Sequence, residues 1–230
     1  MARAAPAERL REVAAAGTRV FARLGYGRTH MADVAAEAGL SSGAVYTYVA
    51  SKDALFHLVF ASAFGEVDGD GASLPLPTPA PGETLQLIAK GLGREARTPR
   101  MKAALEDPSP TDVPGELRAI IEERYDMVAR LWPIFAVIER SAIDLPELDA
   151  LYFQRGRRGQ MNQLVRYLEQ RAAAGYLRPM PDPAVTARLV TEAIAWFAWH
   201  RRGERDAAAF DEARTRVTVV QFCCDGLLAP

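Results

Sequence analysis

Residues 29–52, THMADVAAEAGLSSGAVYTYVASK, constrain this chain more than any other stretch. Met31, Val34, Ala35 and Ala38 recur at helical steps and predict a short helix of two turns. Gly39 is placed to stop it, and Leu40 is apolar and expected to tuck inward. Ser41 is a suitable N-cap for a following helix. Leu40 before that cap and Val45 inside the helix are spaced as a hydrophobic staple, which fixes the entry angle of the chain. Two short helices joined by a tight turn of defined geometry are a helix-turn-helix plan. Such a unit has little core of its own, so the flanking sequence must support it.

The support is legible. Leu10, Val13, Ala14, Gly17, Val20, Phe21 and Leu24 form one apolar face of a first helix, Ala7 to Leu24, with Gly25 able to end it. Pro6 suits the helix start, where its missing N–H is not needed. After the turn, Ser51 is a second N-cap and Asp53 sits near the positive end of the helix dipole. Leu55, Phe56, Val59, Phe60 and Phe64 give a fourth helix, Lys52 to Val67, a broad apolar side. The Gly- and Pro-rich segment 68–82 lacks helical period and reads as a loop.

The rest returns to helix: Glu83 to Arg97, Pro99 to Asp107, Gly115 to Ile143 with Pro133 as a kink or restart, Pro146 to Ala174, Ala184 to Arg201 and Asp211 to Leu228. Gly175 closes the fourth of these, and Pro179, Pro181 and Pro183 keep it from resuming. No strand pattern or internal repeat is present. The class is all-α, divided as a helix-turn-helix domain over 1–50, a connecting helix over 51–67, a loop over 68–82 and a larger helical domain over 83–230.

Composition narrows the function. Apolar residues make up 49% of the 230 and charged residues 25%, an ordinary globular balance. No apolar run is long enough to span a bilayer and the N-terminus lacks a secretory pattern, so a cytoplasmic protein without membrane association is expected. His30, His57 and His200 are widely separated and Cys223 and Cys224 adjacent, so no metal-ligand spacing exists and no cofactor is implied. The two cysteines read as small core residues, with a redox role as the alternative. Residues 1–52 hold seven basic and four acidic side chains, a net of +3, which leaves −4 for the remainder of a chain of net −1. A basic head on an acidic body keeps positive potential where nucleic acid would lie.

A DNA-reading helix needs small or polar groups facing base edges and donors facing phosphates. Ser42, Gly43, Ala44, Tyr46 and Thr47 are expected to be exposed, with Val45 and Val49 inward. Tyr46, Thr47 and Tyr48 carry hydroxyls for phosphate oxygens, Lys52 adds charge, and amides at helix starts are further donors.

Residues 25–59 resemble the N-terminal domain of the TetR family of bacterial transcriptional regulators. The resemblance rests on Gly25-Tyr26, Thr29, Val34-Ala35, Ala38-Gly39-Leu40-Ser41, Gly43, Val45-Tyr46-Thr47-Tyr48-Val49 and Ser51-Lys52-Asp53-Ala54-Leu55. It adds Thr29 to the expected DNA-contacting set. The chain departs from the family pattern at Val49, usually Phe, and at His30, usually Thr or Ser. Ser42 and Thr47 are neutral where many members are basic, which implies a shallower salt dependence.

One short reading helix covers few base pairs, so a homodimer on a palindromic operator is expected. Ala213, Val217, Val220, Cys224 and Leu227 alternate steps of four and three along the last helix. Ile194 and Phe197 lie on one side of a preceding helix that is apolar nearly all round. The resemblance likewise implies dimerisation through the last two helices, and a small-molecule site in the larger domain. Candidates to line that site are Met101, Tyr125, Met127, Trp132, Phe135, Tyr152, Phe153, Tyr167 and Trp196, with Glu139 as an orienting polar group. Core packing is the alternative for each aromatic, and surface pairing for Glu139. The resulting reading is a one-component repressor released from a palindromic operator by a lipophilic effector. An activator and a ligand-binding protein with a vestigial head are the alternatives. Enzyme chemistry finds no nucleophile–base pair, metal cluster or phosphate loop in the sequence.

Overall fold

The computed structural model describes residues 6–67, 73–205 and 207–229. The predicted contributions of Arg3 and of loop residues 68–72 lie outside the described residues. Among the described residues eleven α-helices run in order: α1 Pro6–Arg28, α2 Met31–Glu37, α3 Ser42–Val45, α4 Lys52–Ala63, α5 Glu83–Glu95, α6 Pro99–Glu106, α7 Val113–Ser141, α8 Pro146–Asp149, α9 Arg158–Ala173, α10 Pro183–Ala198 and α11 Glu212–Leu227. A π-helical stretch, Ala150–Arg157, joins α8 to α9, so the predicted long helix is continuous but wide in its middle. Among the described residues there is no strand, only isolated bridges Val49–Leu76 and Leu177–Leu228, and no helix is long and apolar enough to cross a membrane.

The chain divides into two compact units, 1–95 with 133–152, and 96–132 with 153–230. The predicted boundary at residue 50 therefore falls inside a unit. The reason is the apolar side of α4: Leu55, Phe56, Leu58, Val59 and Phe60 are buried in one core with Val13, Val20 and Phe21 of α1, Val34 of α2 and Val45 of α3. The same core holds Leu87 and Ile88 of α5 and Ile134, Val137 and Ile138 of α7. Phe56 is the hub, edge-on to Phe21 at 5.0 Å, Tyr26 at 5.1 Å and Phe60 at 5.1 Å.

Several local signals act as read. Gly25 takes φ 78°, ψ 173° and breaks α1 where its periodicity ends. The Ser51 side chain accepts the Ala54 N–H at 3.1 Å. Gly175 takes φ 78° and ends α9. Pro133 lies within an unbroken α7 rather than at a restart. Gly65, at φ 70°, brings α4 to a close before the predicted end at Val67. Ser41 precedes α3 in extended conformation, but its side chain makes no capping bond.

In the second unit, α6, α7, α9, α10 and α11 enclose Met101, Leu117, Ile121, Tyr125, Leu164, Tyr167, Ile194, Val220 and Cys224. Arg171 of α9, only 3% exposed, is buried with them. Its Nε donates to Glu116 Oε1 at 2.9 Å, and its Nη2 donates to the Ala104 and Asp107 carbonyls at 2.7 and 3.0 Å. Cys223 and Cys224 are free and buried. Burial pushes the Cys223 thiol up to about 11 and raises Cys224 as well, so neither holds a reactive thiolate near neutral pH. Ellman's reagent at pH 8 is expected to label neither cysteine in the folded protein and both after denaturation. Stoichiometric labelling of the native chain would expose a redox-accessible pair.

Candidate nucleic-acid interface

The helix-turn-helix is assembled by α2, α3 and the turn between them. Asp33 Oδ2 accepts the His30 N–H at 2.9 Å and fixes the start of α2. Gly39 takes φ 65° in the turn, and Leu40 packs half-buried against the core that contains Val45. α3 is a single turn, continued by a non-helical turn over Tyr46–Tyr48. Val45 and Val49 are fully buried, as their four-residue spacing requires.

This places the predicted contact residues unequally. Ser42, Gly43 and Thr47 are exposed, Ala44 and Tyr48 half-buried, and Tyr46 49% exposed. A Cβ built at Gly43 meets nothing within 4 Å, so the surface there is open to a close-lying ligand. The Thr47 hydroxyl donates to the Ala44 carbonyl at 2.7 Å, which leaves its oxygen lone pairs outward. Two expectations need correction. Thr29 is 1% exposed and its hydroxyl donates to the Gly25 carbonyl at 2.7 Å, so it secures the chain between α1 and α2 instead of facing solvent. Lys52 is also committed internally: its Nζ donates to the carbonyls of Tyr26 at 3.0 Å and Thr29 at 3.3 Å and lies 4.4 Å from the Tyr26 ring centre.

Positive potential is reduced by local pairing. Arg19 Nε lies 2.6 Å from Glu37 Oε1 and Arg23 Nη1 lies 3.7 Å from Oε2. The Arg19 hydrogen bond lowers the Glu37 pKa. Arg9 pairs with Glu12. The reading face is therefore mostly hydroxyl and main-chain surface.

Two supports of this face were not legible as such. Leu76, inside the predicted loop, receives and gives main-chain bonds: its N–H donates to the Tyr48 carbonyl at 2.8 Å and its carbonyl accepts the Ala50 N–H at 2.9 Å. The Ser51 and Thr78 hydroxyls meet at 2.7 Å. The alternation Leu74-Pro75-Leu76-Pro77 was the available signal, since a leucine between prolines keeps its own donor and acceptor in extended chain. The second support is the turn after α1. The Gly27 N–H donates to Asp144 Oδ2 at 2.8 Å, and a Cβ at Gly25 would lie 2.6 Å from the Arg140 carbonyl oxygen. These contacts hold the end of α7 against the entry to α2.

The predicted effector residues do not form one group within either unit. Met101, Tyr125, Trp132, Tyr167 and Trp196 belong to the second unit, Phe135 and Glu139 to the first. Met101, Tyr125 and Tyr167 are packed in the core. Trp132 is half-buried, with Arg202 5.9 Å from its ring centre, and Trp196 is exposed against Phe197 and Phe210. Phe135 lies 5.6 Å from Tyr152, whose hydroxyl is 3.5 Å from Glu139. Sequence reasoning passed over Arg124, which is 5% exposed, with Nη1 lacking a hydrogen-bond partner among the described residues. Burial lowers its pKa to about 10, leaving it charged at neutral pH.

The predicted dimer seam also needs correction. Ile194, Val220, Cys224 and Leu227 are buried in the chain's own core, and Phe197 is half-buried against it. Ala213 and Val217, the latter at 56% exposure, face outward. The four-and-three spacing identified a packed helix but not its partner, because the inward stripe of α11 is Thr215, Val219, Val220, Cys223, Cys224 and Leu227. Large apolar residues that face outward are Val185, Leu189 and Trp196 on α10 and Val217 and Phe222 on α11.

Comparison with known proteins agrees with this architecture. Residues 13–59 match the model of bacterial regulatory proteins of the tetR family, and residues 115–222 match that of the AefR-like transcriptional repressor C-terminal domain. A comparison with curated proteins finds no match. Among solved structures, the ketosteroid transcriptional regulator KstR2 of Mycobacterium tuberculosis is similar with TM-score 0.55 at 16% identity, covering 96% of each chain. AibR in complex with isovaleryl coenzyme A and operator DNA gives 0.52 at 15%, covering 93% of this chain and 97% of that one. The fatty acid degradation regulator FadR from Bacillus halodurans gives 0.50 at 15%, covering 98% of each. With its reading head, its all-helical body and both family models matched in order, the chain belongs to the TetR family of bacterial transcriptional regulators.

Proposed function

We propose that this regulator is a cytoplasmic homodimeric repressor that binds a palindromic operator and is released by a small lipophilic effector. The observation that carries the reading is the exposed face formed by Ser42, Gly43, Tyr46 and Thr47 on a head whose core is otherwise closed. Ser42, Gly43 and Ala44 are placed to approach base edges. Tyr46 and Tyr48 supply hydroxyls for phosphates, Thr47, whose proton is given to the Ala44 carbonyl, offers an acceptor to base-edge donors, and Lys52 acts by holding the head together.

Dimerisation is supported by Val185, Leu189, Val217 and Phe222, the last 74% exposed, on two helices that pack together. Large apolar side chains concentrated this way favour a protein partner, and an isologous pair places two reading heads on one duplex. The effector reading is supported by Arg124, a buried cation with an open Nη1 that an acidic group on a lipophilic molecule would satisfy. AibR, solved with an acyl coenzyme A and operator DNA, offers a precedent for that pairing of ligands.

Selection of bound fragments from genomic DNA tests the reading. An inverted repeat is expected to be enriched by the wild-type chain. The pair Leu189→Asp and Phe222→Asp is expected to sediment as a folded monomer and enrich no repeat. Tyr46→Phe with Tyr48→Phe is expected to weaken binding to the selected site roughly tenfold, the loss of two phosphate hydrogen bonds. Absence of any enriched sequence would favour a vestigial head.

A further inference from the structure

The first unit contains a cavity of about 540 Å³, within the size range of drug-sized ligand sites. One wall is the segment Thr78–Gly82 with Thr84, Leu85 and Ile88. Another is Tyr26, Asp53 and Phe56, and the third is Leu145, Glu147 and Leu148. None of the residues predicted for the effector lines it. Its surface is apolar and aromatic, with two carboxylates and no lysine, arginine or histidine among the lining residues. The basic residues of α4 are held behind the walls: Lys52 on the Tyr26 and Thr29 carbonyls and 4.4 Å from the Tyr26 ring centre, His57 on the Thr84 hydroxyl at 3.0 Å. The Tyr26 hydroxyl donates to Asp53 Oδ1, while burial and that carboxylate push its pKa up, so the phenol stays neutral. Glu147 is exposed, and its carboxylate makes no hydrogen bond or ion pair among the described residues.

We propose that this cavity is a small-molecule site that takes a lipophilic cation, with its apolar body against Leu85, Ile88 and Leu145 and its charge toward Asp53 and Glu147. An anion would face two like charges, and a neutral apolar molecule would leave both carboxylates beside an apolar body without benefit. A cation gains from both. The site also has a mechanical connection. Its Thr78 wall is bonded to Ser51, and two residues earlier Leu76 is paired with Tyr48 and Ala50. Asp53 is in the first turn of α4, directly after the reading turn. A ligand that displaces either wall therefore bears on Tyr46–Ser51. This regulatory half rests on the DNA-binding reading above, whereas the binding half does not.

Calorimetric titration of the full-length protein, without DNA, separates the two. Tetraphenylphosphonium is expected to bind saturably at one site per chain, and tetraphenylborate, of nearly the same shape and opposite charge, is not. Glu147→Gln, at an exposed position, is expected to weaken phosphonium binding roughly tenfold. Leu85→Trp, which fills the cavity, is expected to abolish it, with the circular dichroism spectrum unchanged. Equal binding of both ions, or phosphonium binding untouched by both substitutions, would overturn the site. With binding established, phosphonium is expected to shift affinity for the selected DNA by roughly fivefold or more. An unchanged DNA affinity in the presence of saturating phosphonium overturns the regulatory half alone.

Discussion

Replacing Arg171 by alanine is expected to lower stability by about 3–5 kcal/mol, the range for breaking a buried ion pair from one side. The guanidinium makes three kinds of contact at once. It forks onto Glu116, with Nε to Oε1 at 2.9 Å and Nη2 to Oε2 at 3.1 Å. It also satisfies two carbonyls at the end of α6, Ala104 and Asp107, and lies 5.4 Å from the Tyr167 ring centre. Alanine leaves a carboxylate and two carbonyls without a donor, and removes the packing of the arginine stem. Natural domains hold only about 5–15 kcal/mol in total, so this single site threatens the second unit. At ~2–4 °C per kcal/mol for a chain of this size, the midpoint should fall by roughly 6–20 °C in a thermal melt. Arg171→Lys keeps the charge but lacks the planar fork, so it should recover only part of the loss. A midpoint unchanged within 2 °C for the alanine variant would mean that the network is replaced by water at no net cost.

Gly25→Ala should be as damaging in the first unit. At φ 78°, ψ 173° the backbone lies where only glycine is at ease, and a side chain there costs about 1–3 kcal/mol before any clash. The clash follows, since the new Cβ would sit 2.6 Å from the Arg140 carbonyl oxygen, a main-chain atom at the end of α7 that cannot swing aside. The expected result is a protein with its helical spectrum mostly retained, fast amide exchange in α2 and α3, and no binding to selected DNA. Gly27→Ala is the control. Its Cβ would meet the Asp144 carboxylate at 2.7 Å, the mobile end of a side chain, and the Gly27 N–H donor survives. It should therefore be several-fold milder in both readouts. Equal tolerance of both substitutions would show that the α7 end does not brace the head.

These two residues mark the limits of what the sequence reveals. Gly25 was readable as a helix stop, because the apolar stripe of α1 ends at Leu24 and a glycine follows. That it also lets a second helix approach was not readable, since the approaching residue lies more than a hundred positions away. Arg171 has the same character: nothing local distinguishes it from the exposed arginines of α9, and its partner arrives from α7. Caps, turns and helix extents are set by neighbours within four residues, and there the reading came close, missing at Ser41, at the ends of α4 and α10 and by two residues at each end of α7. Which face of α11 turns inward depends on helices brought together by the whole fold. The stripe through Val217 and Cys224 was correct as a helical pattern, yet its residues are divided between the chain's own core and the surface. Thr29 and Lys52 show the same limit in the reading head, where the family pattern marks residues without saying whether they touch DNA or hold the shape that does.

The pairing of Leu76 with Tyr48 and Ala50 runs entirely through main-chain atoms. Such a tie is indifferent to the identity of the side chains that carry it. Side chains at 73–75 and 77 can change as long as the path stays extended and position 76 keeps its N–H. Proline at 76 would undo it. A lineage descending from this chain is thus free to rewrite the letters of the segment while inheriting its course, and kinship there would be visible in shape long after it had vanished from spelling.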